Sequence, residues 1–195
     1  MSQNELVAAV MPVVRLFEQL GISYYVGGSV ASSAYGLPRT TLDADLVAVV
    51  RASQAAPICE SLQKTYYASL PAIQSAVQRE SSFNVIHLAS MFKVDVFVCK
   101  RRPYDQTALT RLRPGTIGPQ DDQLQVMLAS PEDVVLSKLE WYRLGGEVSE
   151  RQWLDVLGVL KVQHAAIDRP YLEQWASELG VADLLHRALT EAGIA

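Results

Sequence analysis

Apolar residues recur along the chain with two periods, and the change from one to the other divides it. Leu6, Val10, Val13, Val14 and Phe17 repeat at helical spacing over residues 4–20, and Gly21 supplies a stop, which predicts a packing helix. Tyr24, Tyr25 and Val26 read as the end of a strand. Gly27 and Gly28 break it, since glycine lets the backbone turn sharply without a Cβ in the way. Residues 29–35 predict a second helix, ended by Gly36 and Pro38, and residues 42–50 a strand rich in valine. Helices are predicted again over 53–65, with Pro57 in the first turn, and over 71–78, while Tyr66-Tyr67 between them receives no assignment. Residues 83–88 and 93–98 alternate with period two about a turn at Ser90 and predict a hairpin; 124–128 predicts one more strand.

From Ser130 onward the pattern is helical only. Ser130-Pro131-Glu132-Asp133 is a strong start signal, with serine as cap, proline at the first helical position and acid in the first turn. That helix is expected to reach Leu144 before Gly145-Gly146, and Ser149 with Gln152 opens the next as a capping box, burying Trp153, Val156, Leu157 and Leu160. Asp168-Arg169-Pro170 opens a third, stopped at Gly180, and residues 181–190 form a fourth. Trp153 and Trp175 lie on apolar stripes and read as core. The expected organisation is therefore a mixed α and β segment over 1–129 and a helical segment over 130–195.

Composition sharpens this reading. Of 195 residues, 49% are hydrophobic and 19% charged, enough to build a substantial core. The net charge of −4 argues against broad, non-specific nucleic-acid binding and leaves room only for a local basic groove. Lys100, Arg101, Arg102, Arg111 and Arg113, with Tyr104 among them, are the candidate for one; otherwise they are a solvated loop and helix face. Cys59 and Cys99 fit neither a metal spacing nor a disulfide framework and read as reduced thiols of a cytoplasmic protein. Residues 6–14 are apolar but too short to cross a bilayer and are interrupted by Pro12, so no membrane span or signal peptide is expected. His87, His164 and His186 are scattered without ligand spacing.

The candidate chemistry lies in residues 26–50. A helix that begins at Ser29 after two glycines presents free backbone N–H groups, so Gly27, Gly28 and Ser29 suit a phosphate chain. Asp43 and Asp45 project from one face of the following strand, Ala44 and Leu46 from the other. Two carboxylates on one face of an apolar strand repel each other unless a cation neutralises them, and oxygen-only ligands suit magnesium or manganese better than zinc. In the second hairpin strand, Val94, Val96 and Val98 share one face and Lys93, Asp95 and Phe97 the other. Lys138 sits between Val135, Leu139 and Trp141 in a mostly apolar helical turn and is expected to be partly exposed.

Gly-Gly-Ser followed by Asp-x-Asp, with residues 30–42 between Ser29 and Asp43, resembles the nucleotidyltransferase superfamily that includes DNA polymerase β and the aminoglycoside nucleotidyltransferases. The spacing lies at the long end of that signature. Arg39-Thr40-Thr41-Leu42-Asp43-Ala44-Asp45 is similar to the Arg-x-Thr-x-Asp-x-Asp ending of AbiEii-type nucleotidyltransferase toxins and their relatives. The resemblance implies an α+β fold, a nucleotidyltransferase-like mixed β-sheet flanked by helices, followed by a C-terminal helical bundle. It implies that Asp95 completes a metal site with Asp43 and Asp45, and that all three carboxylates serve catalysis. It further implies nucleotide contacts from Gly27, Gly28, Ser29, Arg39, Thr41 and Lys138, with Asp155 matching a further polar position.

The implied reaction moves a nucleoside monophosphate from a nucleoside triphosphate to an acceptor hydroxyl, with Mg2+ or Mn2+ as cofactor. Three readings stand side by side. The first is a toxin of a toxin-antitoxin pair acting on RNA (tRNA) or protein in the cytoplasm, with a cognate antitoxin as partner. The second is a small-molecule enzyme of the aminoglycoside type, for which Glu132, Asp133, Glu140 and Glu147 supply an acidic pocket. The third is a nucleotide-binding or interaction protein that has lost turnover.

Overall fold

A computed structural model describes residues 3–119, 121 and 123–194; Met1, Ser2, Gln120, Asp122 and Ala195, which fall within the two expected segments, lie outside the described residues. The chain forms two compact units, one of residues 1–27 and 40–128, the other of 28–39 and 129–195.

The first unit is built on a seven-stranded mixed sheet. Its strands are β1 (Tyr24–Val26), β2 (Asp43–Ala48), β3 (Tyr66–Tyr67), β4 (Ser82–His87), β5 (Lys93–Val98), β6 (Arg113–Ile117) and β7 (Leu124–Leu128), in the order β3-β4-β5-β2-β1-β7-β6. β2 runs parallel to β5 and antiparallel to β1, β4 and β5 form the expected hairpin, and β1 runs parallel to β7. Tyr66-Tyr67 is thus an edge strand, and the Tyr66 hydroxyl donates a buried hydrogen bond to the Ala9 carbonyl at 2.7 Å. β6 has no counterpart among the predicted strands, because Pro114 and Gly115 interrupt its pattern; an edge strand paired on one side tolerates both.

Alternation along the central strands separates two faces. Ala44, Leu46, Ala48, Val94, Val96 and Val98 are buried. Helix α1 (Gln3–Gln19) packs on β2, β5 and β7 and buries Val7, Val10, Val13, Val14 and Phe17. It continues through Pro12, where burial of the flanking stripe offsets the lost backbone hydrogen bond. Helices α3 (Ala55–Leu62) and α4 (Leu70–Arg79) pack on each other, and α4 also lies against β4 and β5. A short helix, α5 (Pro103–Ala108), follows β5. The other sheet face carries Asp43, Asp45, Lys93 and Asp95, all half-buried.

The second unit is helical: α2 (Gly28–Tyr35), α6 (Pro131–Leu144), α7 (Glu150–Gln163), α8 (Arg169–Glu178) and α9 (Ala182–Ala192). The predicted serine and aspartate caps form, with Ser130 Oγ accepting from Asp133 N, Ser149 Oγ from Gln152 N and Asp168 Oδ1 from Tyr171 N, while the Gln152 side chain, expected to complete a capping box, accepts from Lys138 Nζ. α2 packs on α6 and α7, and Gly36, directly after it, lies against the backbone of α7. A Cβ on Gly36 would stand 2.8 Å from the backbone of Gly158 and Val159, which leaves no room for any other residue. Val156, Val159 and Leu160 of α7, Leu136 and Leu139 of α6, and Leu185 and Leu189 of α9 are buried in this unit. Among the described residues no helix is long and apolar enough to cross a membrane.

Candidate functional site

On the sheet face, register brings three carboxylates to neighbouring positions. Asp45 stands directly beside Asp95 across the parallel β2–β5 pair, and Asp43 stands beside Lys93. In-register residues of adjacent strands point to the same face about 4.8 Å apart, so Asp43, Asp45, Lys93 and Asp95 form a block of three acids and one base. Thr41 Oγ1 donates to Asp43 Oδ1 at 2.9 Å, and Lys93 Nζ meets Asp95 Oδ2 at 2.6 Å. The hydrogen bond to Asp95 raises the Lys93 ammonium above its ordinary pKa against the desolvation that lowers it, and Asp43 and Asp45 act in the same upward direction.

Among the described residues no three Asp, Glu, His or Cys side chains are gathered closely enough to hold a metal ion. The donor set still fits a hard divalent cation in kind: three carboxylates at adjacent positions of one half-buried face, without competing nitrogen or sulfur ligands in the block. Asp43 is engaged by Thr41 and Asp95 by Lys93. Thr41, expected to touch nucleotide, orients a carboxylate here.

Gly27 ends β1 by donating its N–H to the Asp45 carbonyl at 2.9 Å. A Cβ there would meet only the Tyr25 ring at 3.8 Å, so the space beside this backbone is open. Gly28 follows with φ +52°, the left-handed region that favours glycine, and starts α2.

In the second unit the sequence-predicted residues Ser29, Arg39 and Lys138 come together around Asp155. The Arg39 guanidinium grips both carboxylate oxygens, Nε to Oδ1 at 2.9 Å and Nη2 to Oδ2 at 2.8 Å, and also donates to Ser29 Oγ. Lys138 Nζ donates to Asp155 Oδ2 at 2.8 Å and to Gln152 Oε1 at 3.3 Å. Lys138 is 4% exposed and Asp155 9%, so the expectation of a partly exposed lysine is corrected. Its aliphatic neighbours in sequence signal a buried stem, but not the counter-charge on α7 that lets the ammonium follow it inward. Burial pushes the Asp155 carboxyl upward, but the hydrogen bonds and charges of Arg39 and Lys138 outweigh it and hold the group below its ordinary value of 3.8. Two cations converge on one carboxylate beside the N-terminus of α2, a place that favours an anion.

The remaining charged residues are mostly engaged locally. Arg101 pairs with Glu80 at 3.0 Å and Arg102 with Asp105 at 2.6 Å, which neutralises part of the basic run. Of the acids offered for a cationic ligand, Asp133 accepts from Ser130 Oγ and the Tyr171 hydroxyl, Glu132 accepts from Asp168 N, and Glu147 pairs with Arg143. Lys93 and Gln152 carry no functional expectation from sequence. The period-two pattern does place Lys93 on the face of Asp95, and that parity is the signal for it.

No protein-family model matches the sequence, and no protein of curated function does either. Solved structures do resemble the chain. An antigenic nucleotidyltransferase-like protein from Paracoccidioides brasiliensis aligns over 98% of this chain and 93% of its own, with a TM-score of 0.63 at 19% identity. The antibiotic-resistance factor ANT(2'')-Ia aligns over 95% of this chain and 98% of its own, with a TM-score of 0.56 at 11% identity. Identities this low speak for architecture alone, and the architecture of this chain is a nucleotidyltransferase-like α+β fold, a mixed seven-stranded sheet flanked by helices.

Proposed function

We propose that the chain is a metal-dependent nucleotidyltransferase that transfers a nucleoside monophosphate from a nucleoside triphosphate to an acceptor hydroxyl. The observation that carries this reading is the register of Asp45 with Asp95, which puts both on the sheet face that Asp43 shares. These three carboxylates hold Mg2+ or Mn2+, which when bound lowers the pKa of an attacking hydroxyl and neutralises charge on the leaving oxygens. Thr41 fixes the orientation of Asp43. Gly27 leaves open space beside the backbone, Gly28 supplies the turn into α2, and Ser29, Arg39 and Lys138 bind phosphate oxygens, with Asp155 holding both cations in place. The chain offers no covalent nucleophile in this scheme, so its contribution is positioning and electrostatics.

For the acceptor we favour RNA or protein over a cationic drug, in a cytoplasmic toxin with a cognate antitoxin. Support comes from the acids suggested for drug binding, since Asp133 and Glu132 are buried in cap and helix contacts. The division into a catalytic segment over 1–129 and a helical segment over 130–195 belongs to the same proposal, with Gly28–Arg39 carried by the helical unit.

Magnesium with a nucleoside triphosphate is expected to raise the melting temperature, and magnesium alone to raise it less, because a ligand that binds only the folded state stabilises it by mass action. Labelled triphosphates incubated with tRNA, cell lysate or an aminoglycoside then identify the acceptor. No thermal shift at millimolar nucleotide and metal overturns the reading.

A further inference from the structure

We propose that Lys93 is a resident counter-cation on the carboxylate face, which occupies Asp95 until a divalent metal displaces it and so sets how tightly that face takes up metal. The inference rests on the metal-site reading of Asp43, Asp45 and Asp95.

Its basis is position. Lys93 and Asp95 are two residues apart on β5 and therefore share a face, and the parallel register sets Lys93 beside Asp43 and Asp95 beside Asp45. The ammonium thus shares a face with the same three carboxylates that would bind the metal, and it lies 2.6 Å from an oxygen of one of them. An ammonium and a metal ion cannot share that oxygen closely, since both are cations at contact distance. The Lys93 side chain is 43% exposed against 17% for Asp95. An ion pair open to water on one side is weak, and a flexible four-carbon stem can swing the charge into solvent. The pair therefore tunes metal uptake and does not block it. Without Lys93 the three acids would repel one another in the metal-free protein; with it, part of that repulsion is relieved at the expense of metal affinity.

The test is a Mn2+ titration by calorimetry, without nucleotide, at fixed ionic strength. Lys93→Met, with Lys93→Gln as a second variant, is expected to bind Mn2+ about tenfold more tightly than wild type. Lys93→Arg keeps the charge and should bind as wild type does. The gain should vanish when Asp95→Asn is added to Lys93→Met. Wild-type or weaker affinity in folded Lys93→Met and Lys93→Gln overturns the proposal, as does a gain that survives Asp95→Asn. Asp43→Asn separates this outcome from the larger one. If Asp43→Asn loses Mn2+ while Lys93→Met is unchanged, only the role of Lys93 falls. If neither variant nor wild type binds Mn2+, the carboxylate-face reading falls with it.

Discussion

Lys138 and Asp155, one on α6 and one on α7, form a buried ion pair at 2.8 Å in which the carboxylate is held from its other side by Arg39. The triad is structural as well as a candidate for phosphate binding. Breaking a buried pair by removing one partner costs on the order of 3 kcal/mol, because the remaining charge stays in the interior. Asp155→Ala, which removes the carboxylate that both cations grip, is expected to lower stability by that amount in urea or guanidinium unfolding. Lys138→Met should cost less, since Arg39 still satisfies both carboxylate oxygens. Equal stability of Asp155→Ala and wild type would show that the pair contributes nothing.

The same carboxylate sets a pH dependence. Its pKa is depressed in the folded protein from an ordinary value of 3.8, so its stabilisation is fully present above that value and is lost as pH falls through the lower, folded-state one. As pH falls below that ordinary value, wild type should therefore lose more stability than Asp155→Asn, and the two stabilities should converge. Parallel curves over this acid range would contradict it.

Binding and chemistry should separate on the sheet face. Asp43 and Asp45 share β2, whereas Asp95 arrives on β5. Asp43→Asn or Asp45→Asn is expected to impair both magnesium-dependent nucleotide binding and transfer. Asp95→Asn should bind nucleotide almost as wild type does and transfer it at least about 100-fold more slowly, since it removes an interaction used mainly in the transition state. Calorimetry and a labelled triphosphate measure the two quantities, and wild-type transfer by Asp95→Asn would show that this carboxylate has no part in the reaction.

Gly36→Ala tests the packing of α2 on α7. The added methyl would meet fixed backbone at 2.8 Å, not a side chain that could turn away. The expected cost is about 2 kcal/mol, typical of overpacking, seen as a lower denaturation midpoint with an unchanged slope. An unchanged midpoint would mean that α2 can shift to admit the methyl.

Most of the elements are legible in the periodicity of the sequence. The capped helices after Ser130 and the β4–β5 hairpin follow from local chemistry, in which a serine oxygen meets an N–H three residues on or valines alternate with polar residues. Local signals say nothing of partners distant in sequence. That Gly28–Arg39 packs with helices from the other end of the chain depends on Gly36 meeting Gly158, and glycine in sequence marks a turn as readily as a close approach. Lys138 stands out by its apolar neighbours, yet its burial depends on Asp155, seventeen positions away. β6 escapes a reading by pattern because Pro114 and Gly115 argue against a strand wherever both edges must pair.

Those two residues have a further effect. The sheet ends in β3, only two residues long, and in β6, where proline removes a donor from the strand. A long flat edge is a template onto which another chain can add a strand and begin a fibril, and neither terminal strand of the described sheet is both long and uninterrupted. The valine-rich centre, β2 and β5, is the segment most able to form cross-β structure, and it is enclosed on both sides by paired strands. Resistance to fibril growth is thus built into the borders of the sheet, leaving its middle free to be as apolar as the core requires.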